Sequence, residues 1–182
     1  MEVFQGLVRR LVAAFEAAGL DYMFTGALAA SFYGIARTTA DVDVVVHVVG
    51  AGGKAKLASA LRHAGLSVDE GTVDKALKSE YRIASFQDSK SAYGVDVIFS
   101  RGRLAKRAGT AAGLSTFFQA PEDLILAKLR MIKATVPRSR ALKDEEDVRA
   151  ILKFTRVDVD AVRRKAKKDS TLSIFDSVSG ST

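Results

Sequence analysis

Residues 22–46 constrain the fold most, because they place two carboxylates inside a valine-rich strand. Side chains alternate between the faces of a strand, so Asp41 and Asp43 share one face while Val42 and Val44 share the other. Neighbouring carboxylates in such a strand are costly unless a cation neutralises them. Magnesium takes oxygen ligands and keeps positions open for substrate phosphates. The pattern therefore predicts a site for Mg²⁺, or for Mn²⁺, on this strand.

The residues before this strand predict a phosphate-binding turn. Gly26 follows a short apolar strand where a helix starts, and glycine there allows a ligand close to the backbone. The free N–H groups that follow, from Ala27 onward, suit a triphosphate. Ser31 fits either a phosphate contact or an ordinary polar helix edge. The remaining candidate phosphate donors precede the carboxylates and are Arg37, Thr38 and Thr39.

Two later segments add candidates. Asp96 lies between valines in the predicted strand 93–99, which forms a hairpin with the predicted strand 82–87. It is either a third site carboxylate or an acid on a solvent-facing side of the sheet. Lys128 lies in a helix that opens at Pro121, where it either serves the site or extends from a helix rim.

This arrangement of motifs resembles the nucleotidyltransferase superfamily that includes DNA polymerase β. In detail it resembles the minimal and AbiE-type nucleotidyltransferases of toxin–antitoxin systems, over roughly the first 150 residues. The first motif of that family is usually Gly-Gly or Gly-Ser, and Gly26-Ala27 keeps the small residue. The resemblance implies that Asp96 completes a metal triad with Asp41 and Asp43. It also implies that a lysine and an aspartate of the helical part face the nucleotide. The candidates are Lys128, Asp144 and Asp147.

The resemblance implies an α/β fold with a mixed β-sheet, flanking helices and a helical C-terminal part. We assign residues 1–120 to the core, 121–169 to the helical part and 170–182 to a flexible tail. It also implies that the three aspartates hold two Mg²⁺ ions and that Asp96 helps to deprotonate the acceptor. The implied activity transfers a nucleoside monophosphate from an NTP such as ATP. The acceptor would be an RNA 3′ end, as in tRNA, or a protein hydroxyl.

The formal net charge of +7 favours a polyanionic partner such as RNA, or an acidic protein, although such an excess also simply aids solubility. The basic segments are a predicted helix over residues 102–112 and a loop over residues 138–143. Cysteine is absent, which fits a reducing cytoplasm, and no apolar run predicts a membrane span.

Two other classes of protein compete with the enzyme. The first is a degenerate, antitoxin-like module that masks a cognate toxin without catalysis. The second is a structural or nucleic-acid-binding protein, which would explain the charge but not the carboxylates. A complete set of three aspartates favours the enzyme.

Overall fold

The computed structural model describes residues 2–35 and 38–180. Contacts divide the chain into two units. The first extends to Leu28 and resumes over Thr38–Gln119, and the second contains residues 29–35 and continues from Ala120. Residues 29–35, which the sequence pattern assigned to the core, therefore group with the C-terminal helices.

The first unit is built on a seven-stranded mixed sheet in the order β3-β4-β5-β2-β1-β7-β6. The strands are β1 Asp21–Phe24, β2 Asp41–His47, β3 Leu66–Ser67, β4 Ile83–Asp88, β5 Gly94–Ser100, β6 Lys106–Ala111 and β7 Leu114–Gln119. The β2–β5 and β1–β7 pairs are parallel, and the other pairs are antiparallel. This mixed sheet confirms the predicted α/β class.

Alternating side chains give the sheet one buried and mostly apolar face. Tyr22, Val44 and Val97 lie on that face and are completely buried. The helices of this unit include α1 Glu2–Ala17, α3 Gly50–His63 and α4 Glu70–Lys78. Burial of these side chains stabilises the fold by about 25 cal/mol per Å² of apolar surface removed from water.

The prediction of a basic helix over residues 102–112 is wrong, because this segment contains β6. The register pairs Ala111 with Leu114, so that Ala112 and Gly113 alone form the turn. Both have positive φ, 49° and 82°, as a two-residue type I′ hairpin requires. The turn lacks the usual Asn-Gly signature, and the spacing of the cations matched a helix face equally well.

The second unit is helical. It contains α5 Pro121–Ala134, a 3-10 turn over Arg138–Ala141, α6 Leu142–Phe154, α7 Val159–Lys168 and α8 Leu172–Ser179. The short helix α2, Gly26–Phe32, starts in the first unit and continues into the second. No helix in the described part of the chain has the length and hydropathy of a membrane span.

Helix α8 lies where a flexible tail was predicted. Phe175 is completely buried and Val178 nearly so, which anchors the helix against its own unit. Gly180 ends it in the left-handed conformation. The polar composition of the tail concealed these two apolar anchors, spaced three residues apart on one helix face.

Candidate active site

One row of polar side chains crosses the face of the sheet opposite its apolar side. The parallel register pairs Asp43 with Asp96, and the antiparallel register pairs Asp96 with Ser85. On the other side of Asp43, the Thr25 N–H donates to the Asp43 carbonyl at 3.0 Å. The Thr25 hydroxyl donates in turn to Gln119 Oε1. We call these five residues the polar row.

An apolar cluster lies on the same face, directly beside the polar row. Its buried members are Met23, Val45 and Leu104, with Ile98 and Phe117 packed against them. Met23, Val45 and Ile98 each stand two residues from a member of the polar row on β1, β2 or β5. The carboxylates of Asp43 and Asp96 therefore border an apolar surface, which strengthens their electrostatic interactions with any bound cation.

Gly26 lies directly against the Asp43 carboxylate. Its φ is +58°, and a Cβ at this position would overlap Asp43 Oδ2 and lie 2.7 Å from Cγ. The predicted glycine turn is therefore in contact with a predicted metal ligand. The helix that follows has only seven residues, so a phosphate at this turn would meet individual backbone N–H groups rather than a long helix dipole.

Asp41 occupies a second opening created by a glycine. Gly94 is its register partner on β5, and a Cβ there would lie 2.6 Å from Asp41 Oδ1. The Asp41 side chain is exposed and extends over β5, the strand that also carries Asp96. The Thr39 hydroxyl donates to the Asp41 carbonyl at 2.9 Å, so it fixes the start of β2, while Thr38 is exposed.

The carboxylates suit a hard cation in type but do not form a ready-made cluster. Asp41, Asp43 and Asp96 share one face, as the alternation predicts, and all three offer carboxylate oxygen. Among the described residues, however, no group of three or more His, Cys, Asp or Glu side chains is placed to hold a metal ion. The three carboxylates do not form such a group as their side chains stand, and the triad of metal ligands stays a prediction. The Asp43–Asp96 pair is the part of the set that fits Mg²⁺.

Lys128 belongs to the second unit, where two carboxylates neutralise it. Its Nζ lies 3.0 Å from Asp144 Oδ1 and 2.5 Å from Asp147 Oδ2, and its side chain is 8% exposed. This triad joins α5 to α6. Ser31 lies on α2 within the second unit and is exposed. Arg37 lies outside the described residues.

Sequence reasoning missed three members of the polar row, namely Ser85, Thr25 and Gln119. Alternation within the predicted strand 82–87 puts Ser85 on its polar face, but only the observed register places it beside Asp96. The pairing of Thr25 with Gln119 requires the parallel β1–β7 contact, which connects distant parts of the chain.

Solved nucleotidyltransferase structures match this fold across nearly the whole chain. The solution structure of the antibiotic-resistance factor ANT(2'')-Ia aligns at a TM-score of 0.67 and 15% identity, over 97% of this chain and 94% of that one. The crystal structure of ANT(2'')-Ia with adenylyl-2''-tobramycin aligns at 0.67 and 14%, over 92% and 99%.

An antigenic nucleotidyltransferase-like protein from Paracoccidioides brasiliensis aligns at a TM-score of 0.55 and 14% identity, over 93% of this chain and 92% of that one. No family model and no curated protein sequence matches the chain. The chain therefore has the nucleotidyltransferase fold. None of these three structures is described as a toxin–antitoxin protein, so that subtype stays a prediction.

Proposed function

We propose that this protein is a Mg²⁺-dependent nucleotidyltransferase that transfers a nucleoside monophosphate from an NTP to a hydroxyl group. The observation that carries the proposal is the pairing of Asp43 with Asp96 on adjacent parallel strands, with Asp43 in contact with the Gly26 turn. This arrangement brings a cation-binding pair and a phosphate-accessible backbone to one place in a nucleotidyltransferase fold.

Each residue near the pair has a role in the proposal. Asp43 and Asp96 hold Mg²⁺, with Asp41 as a further ligand after a change of its side-chain rotamer. A cation held there would supply positive charge to the triphosphate and would lower the pKa of the acceptor hydroxyl. Asp96, which lies beside the exposed Ser85 of β4, accepts the proton of the acceptor. Gly26 and Ala27 supply backbone N–H groups to the phosphates.

The remaining candidates have weaker support. Arg37, Thr38 and Ser31 stay proposed phosphate contacts, on their residue chemistry alone. The role first predicted for Lys128, to offset phosphate charge, conflicts with its neutralisation by two acids. We therefore propose that Lys128 and Asp144 position α5 against α6 rather than contact the nucleotide.

The acceptor in the proposal is an RNA 3′ end, with tRNA as the natural candidate, or a hydroxyl of a cognate toxin or antitoxin protein. ANT(2'')-Ia is described in complex with an adenylylated antibiotic, so a small-molecule hydroxyl is a third class to test. The formal net charge of +7 disfavours that class, because tobramycin is a polycation.

The test combines metal binding with group transfer. The wild-type protein, with Mg²⁺ and each labelled NTP in turn, is offered cellular RNA, a protein lysate and tobramycin separately. We expect transfer to RNA or to one protein, and a rise in melting temperature with Mg²⁺ and NTP. The Asp43→Asn variant should show neither the transfer nor the rise in melting temperature. Asp160→Asn, an equal charge change on exposed helix surface, should lose neither.

The antitoxin-like alternative gives the opposite result. A degenerate module would bind a partner protein but show no metal-dependent stabilisation and no transfer to any acceptor. If wild type and Asp43→Asn behave identically in both assays, the enzyme proposal fails and the masking role replaces it.

A further inference from the structure

The flank of the polar row on β4 is open to solvent. Side chains of β4 alternate between exposed and buried, so that Ser85 and Gln87 are exposed while Ala84 and Phe86 are buried. Ile83 is 46% exposed even though it is apolar. On the other side of Asp96 lies Asp43 of β2, and the buried apolar cluster covers the same face two residues further along the strands. The exposed approach to Asp96 therefore runs over β4.

Ser85 offers a free hydroxyl at this flank. It lies directly opposite Asp96 in the antiparallel register, which places the two Cβ atoms about 5 Å apart on one face. Its hydroxyl has no hydrogen-bond partner among the residues that the structure describes. Thr25 and Gln119 are bonded to each other, and the Gln87 amide donates to the carbonyls of its own turn at 2.9 and 3.3 Å.

We infer that Ser85 recognises the acceptor, and that this acceptor is an RNA 3′ end whose adjacent 2′- and 3′-hydroxyls fit Ser85 and Asp96 side by side. The inference rests on the proposed function. A serine hydroxyl donates and accepts, whereas a carboxylate only accepts, so the pair is complementary to two neighbouring hydroxyl groups. A protein acceptor would present a single hydroxyl and leave Ser85 without a role.

The chemical step assigns each hydroxyl. The 3′-oxygen loses its proton to Asp96 and forms a bond to the α-phosphorus of the NTP. The bond between that phosphorus and the bridging oxygen breaks, and pyrophosphate leaves. Ser85 holds the 2′-hydroxyl, which is not altered in the reaction, and thereby orients the 3′-oxygen. The 2′-hydroxyl is the group by which a protein distinguishes RNA from DNA.

The experiment uses two RNA oligonucleotides that differ only in the last nucleotide, which is a ribonucleotide in one and a 2′-deoxynucleotide in the other. We expect the wild-type kcat/KM to favour the ribonucleotide about threefold to tenfold, the range of one hydrogen bond. Ser85→Ala should lose this preference by slowing transfer to the ribonucleotide alone. Ser115→Ala, which removes an exposed hydroxyl on β7, should keep it.

Binding of the same two oligonucleotides, followed by fluorescence anisotropy without NTP, gives a readout independent of turnover. We expect the wild-type protein to bind the RNA with a terminal ribonucleotide more tightly, and Ser85→Ala to lose this preference. Equal effects of Ser85→Ala on both RNAs, or transfer to protein or tobramycin alone, would overturn the inference and leave the proposed function standing. Absence of transfer to every acceptor would contradict the proposed function. If the wild-type protein in that case also binds the two RNAs equally, the inference about Ser85 is contradicted as well.

Discussion

At the scale of single residues, glycine 26 has two physical reasons to be glycine. Its positive φ is a conformation that costs other residues about 1–2 kcal/mol. In addition, the space that a Cβ would take is filled by the Asp43 carboxylate. The sequence motif suggested only the approach of a ligand. The structure shows that the same glycine also sets the position of a proposed cation ligand.

Gly26→Ala should therefore displace Asp43 as well as strain the backbone. We expect loss of nucleotidyl transfer and of the Mg²⁺-dependent stabilisation, with a melting temperature lower by only a few degrees. Gly19→Ala is the matched control, because Gly19 has φ +55° and nothing within 4 Å of its Cβ position. Transfer kinetics and thermal unfolding of the two variants separate strain from displacement. If Gly26→Ala and Gly19→Ala lose similar amounts of activity, the position of the Asp43 carboxylate does not depend on residue 26.

The placement of Asp41 and Asp43 on one face could be predicted from the sequence, because alternation along a strand is a local rule. The position of Ser85 beside Asp96 could not, since it depends on the exact register of the β4–β5 hairpin, which the predicted strand bounds leave open. The sequence identified Lys128 as a candidate. Its neutralisation could not be predicted, because the two acids that pair with it lie on the next α-helix of the chain.

At the scale of elements, an ion pair links α1 to the end of β4. Arg10 donates to Asp88 Oδ1 at 2.6 Å and to the Ala64 carbonyl at 2.8 Å. Ser91 donates to Asp88 Oδ2 at 2.5 Å. The Asp88 side chain is fully buried, so its charge is tolerated only because these donors surround it.

This pair predicts a pH dependence of stability. Burial acts to raise the pKa of Asp88, but the hydrogen bonds from Ser91 and Arg10 outweigh it and hold the pKa below its ordinary value of 3.8. Because the folded pKa is the lower one, the stabilisation is present above the unfolded pKa and is lost as pH falls through the folded value. The free energy of unfolding should therefore fall more steeply below about pH 4 in wild type than in Asp88→Asn. Urea titrations at several acidic pH values measure this difference, and parallel curves for the two proteins would contradict it.

Element type was predicted well where the pattern was strong and poorly where it was short. The valine-rich strands and the helix after Pro121 have clear periodicity. The β6–β7 hairpin was missed because its turn residues, Ala112 and Gly113, do not carry the usual signal. Helix α8 was missed because two buried side chains, rather than its composition, hold it in place.

At the scale of the whole molecule, charge governs how an RNA acceptor would bind. The chain carries 28 basic and 21 acidic residues. Some cations of the predicted basic segments are already paired, since Lys106 bonds Asp21 at 2.6 Å and Arg138 bonds Glu145 at 3.0 Å. Four others are free of ion pairs among the described residues, and they are Arg101, Arg103, Arg140 and Lys143.

We expect RNA affinity to fall linearly with salt on logarithmic axes, with a slope of about −0.7 for each phosphate contacted. Replacing Arg101 and Arg103 by Gln should make the slope shallower if those residues contact phosphate. Lys56 and Lys90, exposed cations elsewhere in the first unit, provide the matched pair of Gln substitutions. Filter binding over a range of salt concentrations measures both slopes. If the RNA affinity of the wild-type protein does not change with salt, contacts between the protein and the RNA backbone are contradicted.

The β2–β5 pairing also has a consequence for how the chain folds. Its two strands are about fifty residues apart in sequence, so a long loop must close before they meet, and such non-local pairing is slow. When they meet, Asp43 and Asp96 arrive at the same position of the ladder with like charges. The strand contact that builds the proposed catalytic pair is thus among the most difficult contacts for the chain to form. A cation shared by both carboxylates would favour that contact, so that binding of the proposed cation would be coupled to completion of the sheet.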